Sequence, residues 1–228
     1  MIKSGIIIPS HSDAVNFREI RMGNIAPNTL YRSSHPIKDD KQEPVISMLA
    51  STARIAAVLN LSDFDAEIKR KAFFAPWYNK LLKNNRVIAL GMDFSQTSEY
   101  FQKKLKKGFQ FIISTEGPWL IHCHAGIDRT GFVSIVLESL MGATLDEIIN
   151  DYLQSFNSIY NSSIYGEVNK GDSLIVMQLL SAMGNYMPIN DQNLTAVAEH
   201  YLLHTIKLSA AEVETLKGKL ARNIGIIQ

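Results

Sequence analysis

Two apolar patterns alternate along the first part of the chain. Arg54-Ile55-Ala56-Ala57-Val58-Leu59-Asn60-Leu61, Arg86-Val87-Ile88-Ala89-Leu90 and Pro118-Trp119-Leu120-Ile121-His122 are short, nearly unbroken apolar runs, as expected of strands buried on both faces. Elsewhere the apolar residues recur at helical spacing. They do so over Glu43 to Ala53, over Asp65 to Leu82 with a break at Pro76, and over Ser98 to Ser114, where Phe101, Leu105, Phe109 and Ile112 share one face. Strand alternating with helix predicts an α/β fold with a central, mostly parallel sheet flanked by helices, and ligands at the carboxyl ends of its strands. Cys123 follows the third run and stands at such an end.

Beyond Gly131 the pattern turns helical throughout. Phe132 to Met141, Thr144 to Phe156, Asp172 to Met187, Leu194 to Leu203 and Ala210 to Ala221 read as extra C-terminal helices, and polar Asn157 to Gly171 as a long loop. The expected organisation is a single domain over 1–228, with an α/β core over 1–143 and a helical C-terminal part over 144–228.

Composition narrows the classes of partner. The 228 residues carry 23 Lys plus Arg against 22 Asp plus Glu, a net charge of +1, which excludes a strongly basic nucleic-acid binder. No apolar run approaches the roughly 18 to 20 residues of a membrane span, so no integral membrane contact is expected. The opening Ile6-Ile7-Ile8-Pro9 is too short for a signal-peptide core. The expected location is therefore cytoplasmic, or secreted by a route without a cleavable signal peptide. The lysine run Lys103-Lys104-Leu105-Lys106-Lys107 reads as a solvated helix face. With one cysteine, Cys123, neither an intramolecular disulfide nor a zinc site needing two thiolates from one chain is available.

The chemistry concentrates in His122-Cys123-His124-Ala125-Gly126-Ile127-Asp128-Arg129-Thr130-Gly131. A free thiol titrates near ~8.5, and a helix N-terminus with a nearby cation brings such groups to roughly 3.5 to 7.5. Both influences adjoin Cys123. The loop from Cys123 to Arg129 feeds a helix, so the backbone N–H groups of His124, Ala125, Gly126, Ile127, Asp128 and Arg129 can curl around an anion. Arg129 adds a planar fork for two phosphate oxygens. Thr130 is placed to donate to the Cys123 sulfur. This arrangement predicts transfer of a phosphoryl group to Cys123 and hydrolysis of the phosphocysteine by water. Arg129 and the backbone supply the charge stabilisation, so no cofactor is implied.

A lone cysteine at a strand end is usually a packing residue. Here, however, Gly, Arg, Thr and Gly all stand at the required offsets, which average composition produces on the order of once in 10⁴. A metal site at His122, Cys123 and His124 is disfavoured because alternate strand residues face opposite ways. His200 and His204 lack the Glu of a zinc-protease helix and read as a helix-surface pair.

This segment resembles the H-C-x5-R-[ST] loop of the cysteine-dependent protein tyrosine and dual-specificity phosphatases. It is closest to the bacterial tyrosine and lipid phosphatases with H-C-x-A-G-K-D-R-T-G. Asn16-Phe17-Arg18-Glu19 and Leu30-Tyr31-Arg32-Ser33-Ser34 are similar to that family's N-F-R-D and L-Y-R-S segments. The resemblance implies a phosphotyrosine-phosphatase-like fold and metal-independent hydrolysis of phosphate monoesters on a phosphorylated protein, most of all phosphotyrosine, or on a small molecule. Phosphoinositide or dual-specificity activity and a non-catalytic phosphate-binding module are the alternatives. It also implies a general acid, with Asp93, thirty residues before Cys123, and Asp128, inside the loop, as rivals. For Arg18 and Arg32 it implies support of the catalytic loop, with ordinary salt bridges the other reading. Gln154 is a candidate to orient the hydrolytic water by residue type alone. Glu19 stands where the family has Asp, and Ile127 where it has Lys. The second change predicts an apolar surface at the mouth of the site and a preference for aryl phosphates over phosphoinositides.

Overall fold

The three apolar runs become neighbouring parallel strands inside a five-stranded sheet. The computed structural model describes residues 15–38, 42–160, 173–185 and 187–221. Its strands are β1 (Arg18–Glu19), β2 (Leu30–Ser33), β3 (Ala57–Asn60), β4 (Val87–Ala89) and β5 (Trp119–His122), ordered β1-β2-β5-β3-β4. Only β1 runs antiparallel, against β2. Register sets Ser33, His122 and Asn60 level with one another. Three adjacent strands therefore release the chain at one sheet edge, where the candidate site lies.

Side-chain alternation divides the core in two. Leu30, Ala57, Leu59, Trp119 and Ile121 face a layer containing α4 (Glu99–Ser114), α5 (Asp128–Leu140) and the C-terminal helices. Tyr31, Val58 and Leu120 face the other layer, built on α1 (Gln42–Thr52), α2 (Asp65–Lys71) and α3 (Pro76–Lys83). The expected break near Pro76 is a 3₁₀ turn over Ala72–Phe74, with Pro76 opening α3 at the position where its missing N–H costs nothing. Helix α4 starts at Ser98, whose hydroxyl accepts from the Phe101 N–H. Phe101, Leu105, Phe109 and Ile112 are fully buried; at ~1.5–3 kcal/mol each they contribute roughly 6–12 kcal/mol before ordering entropy is subtracted.

Helix α5 begins at Asp128, four residues before the apolar pattern does, and every residue from Arg129 to Leu140 is buried. It is the central helix, enclosed on all sides. Helix α6 (Leu145–Tyr160) runs past Phe156, so the expected loop does not start at Asn157; most of that loop lies outside the described residues. The remaining elements are α7 (Ser173–Met183), α8 (Leu194–His200), a π turn over Tyr201–Thr205 and α9 (Ala210–Ala221). Val176, Leu180, Leu194, Leu216 and Leu220 from these helices join the same core cluster as the sheet. None of the described helices is long and apolar enough to cross a membrane.

Candidate active site

Between β5 and α5 the chain forms a tight loop whose carbonyls are held from behind. The Cys123 carbonyl faces His122 Nδ1 at 3.2 Å, the His124 carbonyl accepts from the His35 N–H at 3.0 Å, and the Gly126 carbonyl accepts from Arg32 Nη2 at 2.8 Å and Asn16 Nδ2 at 3.1 Å. In a trans peptide the following N–H points opposite to the carbonyl. The N–H groups of His124, Ala125 and Ile127 are thereby turned away from these partners, into the anion-binding arrangement the sequence predicts. Gly126 has a φ of +75°, and a Cβ there would lie 2.3 Å from the Ser33 carbonyl oxygen; only glycine fits.

Behind the loop is a buried charge cluster that sequence reading missed. Asp151, on α6, pairs with Arg32 and with Arg18, the latter at 2.9 Å. Arg18 also donates to Ser155 Oγ at 2.8 Å and to the Asn16 side chain. Arg32 thus both pairs with Asp151 and holds a loop carbonyl, whereas Arg18 reaches the loop only through Asn16 and Asp151. Burial alone would raise the Asp151 carboxyl, but Arg32 and Arg18 hold it below the ordinary range. Glu138 on α5 meets the same cluster and goes the other way: burial, then the Asp151 charge, push its carboxyl well above the ordinary range. Glu19 takes no part in this clamp and pairs with Arg21 at 2.8 Å.

A second network fixes His122. Asn60 Nδ2 donates to Tyr78 Oη at 3.2 Å, and Tyr78 Oη lies 3.1 Å from His122 Nε2. Burial raises Tyr78 and lowers His122, so the phenol keeps its proton and donates it to Nε2. Neutral His122 then carries its own proton on Nδ1, against the Cys123 carbonyl. Asn60 also donates to Asp63 at 2.8 Å, as His35 does at 2.6 Å. Burial favours a protonated Asp63, yet the bonds from His35, Asn60 and Lys71 hold it well below the usual carboxylate range.

Cys123, 2% exposed, sits at the loop's first position. Arg129 is 7% exposed; it donates from Nη1 to the Met92 carbonyl at 2.9 Å and lies 4.4 Å from the Phe94 ring centroid. Its Nε and the Thr130 hydroxyl are buried without a protein partner. The predicted Thr130 bond to the Cys123 sulfur is accordingly not formed. Asp93 lies between Met92 and Phe94, exposed, accepting from the Ser95 N–H at 3.2 Å and Ser98 Oγ at 3.3 Å. The structure thus brings it to the segment that holds Arg129. Asp128, also exposed, opens α5 beside Arg129. His124 is exposed, and its imidazole is lowered from the ordinary value, first by partial burial and then by Lys38, His35, Arg129 and Lys71.

One expectation fails here. The Ile127 side chain is 2% exposed and packs into the core cluster, so it presents no apolar surface to a substrate. The reason is that its backbone turns the N–H outward and the side chain inward. Gln154 is exposed on α6, three residues beyond Asp151 and so near the same helical face. Of the lysine run, Lys104 lies over the Phe64 and Tyr100 rings, 5.6 and 5.2 Å from their centroids, and Lys103 pairs with Glu99 in solvent.

A strand-end cysteine, a backbone cradle and an arginine at the sixth position beyond it define a cysteine-dependent phosphatase site. A family model described as the tyrosine phosphatase family matches residues 10–222, and the chain belongs to that family. The triple specificity protein phosphatase PtpB of Mycobacterium tuberculosis is 37% identical over 70 residues, which cover 28% of this chain and 25% of PtpB. The chain thus matches about a quarter of that relative's length. The core catalytic domain of the PP-IP phosphatase SIW14 from S. cerevisiae, solved with citrate, superposes with a TM-score of 0.44 at 18% identity, covering 82% of this chain and 99% of that one. A second structure of the Siw14 catalytic core gives 0.41 at 16% identity, covering 76% and 98%.

Proposed function

We propose that the chain hydrolyses aryl phosphate monoesters, with protein phosphotyrosine as the substrate class. Cys123 Sγ attacks phosphorus in line with the leaving oxygen. The P–O bond to the substrate breaks as the P–S bond forms, and Asp93 gives the departing phenolate its proton. Water then attacks the phosphocysteine, returning its proton to Asp93, and the thiolate leaves with release of inorganic phosphate. Arg129 and the N–H groups of 124–129 hold the equatorial oxygens throughout. Asp128 is the rival acid.

The observation that carries this reading is Arg129: buried, aimed by the Met92 carbonyl, stacked on Phe94, with Nε unpaired. Phe94 is 60% exposed, so the ring that meets the guanidinium on one side is open to a substrate ring. The non-catalytic alternative fits poorly with a chain that keeps both Cys123 and Arg129. Comparing kcat/KM on phosphotyrosine peptides, phosphoserine peptides and phosphoinositides tests the assignment. Phosphotyrosine should lead; a higher value for phosphoinositides replaces the aryl assignment with a lipid one.

A further inference from the structure

A cavity of about 480 Å³ is bounded by Lys38, Arg70, Lys71, Glu43, Phe74 and Ile37. Its lining among the described residues holds three cations and one carboxylate. Glu43 is the one carboxylate among the described lining residues, and burial raises it above its ordinary range. Arg70 and Lys38 are exposed and have no ion-pair partner among the described residues. Phe74, 80% exposed, adds an apolar wall.

The cavity is tied to the site by short links. Lys71 pairs with Asp63 at 2.5 Å, Asp63 pairs with His35 at 2.6 Å, and the His35 N–H holds the His124 carbonyl of the loop. Ile37 in the cavity wall donates its N–H to His35 Nδ1 at 3.2 Å. Lys38 and Lys71 also act electrostatically on His124, the exposed residue at the loop's mouth.

We propose that this cavity is a second anion subsite that binds another phosphate group of the same substrate molecule while Cys123 and Arg129 engage the one being cleaved. The inference rests on the phosphatase reading of the loop. A tetrahedral dianion suits cations arriving from two separate elements, α2 through Arg70 and Lys71 and the segment after β2 through Lys38.

Three probes test it: 4-nitrophenyl phosphate, a phosphotyrosine peptide with and without a second phosphorylated residue, and a soluble inositol bisphosphate. The variants are Arg70→Glu and Lys38→Ala, since Lys71 is committed to Asp63. The doubly phosphorylated substrates should show the lower KM in wild type. Each variant should raise that KM about tenfold, the loss of one charge-assisted contact, and leave 4-nitrophenyl phosphate turnover within about twofold. Whether the peptide or the inositol bisphosphate loses more identifies the scaffold that carries the phosphate. Equal loss on all three probes, or no change on any, overturns the subsite. Equilibrium binding of inorganic phosphate gives a readout independent of turnover: two sites in wild type and one in Arg70→Glu support the proposal, and one site in wild type overturns it. If wild type hydrolyses none of the probes, the phosphatase reading fails while this binding result still decides the subsite.

Discussion

Two carboxyl groups in one buried cluster should respond in opposite ways to removal of their charge. Asp151→Asn leaves Arg32, wholly buried, without its anion, and removes the bond that orients the arginine holding the Gly126 carbonyl. Breaking a buried pair by deleting one partner costs about 3–5 kcal/mol. For a chain of this size each kcal/mol moves Tm by ~2–4 °C, so Tm should fall by roughly 6–20 °C. Glu138→Gln replaces a carboxyl that burial and the Asp151 charge push toward its protonated form by a neutral group of the same shape. A carboxyl raised in the fold stabilises fully below its unfolded value, near ~4.3, and that contribution is lost as pH rises toward the folded value. At pH 7 Glu138→Gln should therefore match or exceed wild type in Tm, and its stability should depend less on pH above ~4.3. Asp151, depressed in the fold, contributes stability present above ~3.9 that is lost as pH falls through its lower folded value, so Asp151→Asn should flatten the acid limb. Thermal melts of the three proteins across that pH range decide the matter. Glu138→Gln costing as much as Asp151→Asn would refute the assignment of charge within the cluster.

Gly126→Ala puts a Cβ against the Ser33 carbonyl at a positive φ and should cost about 1–3 kcal/mol by chemical denaturation, together with orthovanadate affinity. Ile127→Lys buries an ammonium in the core cluster and should destabilise the fold by several kcal/mol, not shift substrate preference; a stable variant with raised phosphoinositide activity contradicts the observed packing. Asp93→Asn should lower kcat by about 10²–10⁴, erase the basic limb of the pH profile and hurt poor leaving groups most. If none of these changes, Asp128 is the acid.

How much of this was legible beforehand depends on whether a residue's role shows in local pattern. The buried strands β3 and β5, the half-buried edge strand β4 and the face of α4 announced themselves, because their contacts follow strand and helix periods. Strands β1 and β2 did not: β1 is two residues long, and β2 buries Arg32 and Ser33, which look like surface residues until Asp151 and the loop are seen. The start of α5 was obscured by Asp128, Arg129 and Thr130, polar residues enclosed because they serve the loop. Cys123, Arg129 and Gly126 were readable from spacing alone. Asp151, Glu138, Asn60 and Tyr78 were not, since each acts across more than a dozen residues of chain. Ile127 was misread for a related reason: sequence places a residue in a loop but does not say which way its side chain turns.

The central claim is that Cys123 carries the phosphoryl group between the two halves of the reaction. Rapid acid quench of wild type during turnover of 4-nitrophenyl phosphate, followed by mass spectrometry of the peptide containing Cys123, tests it most directly. The account predicts one phosphoryl group on Cys123, absent from Cys123→Ser, with that variant folded, inactive and still able to bind orthovanadate. Steady-state turnover in Cys123→Ser, or phosphate found on another residue of the active protein, would contradict it.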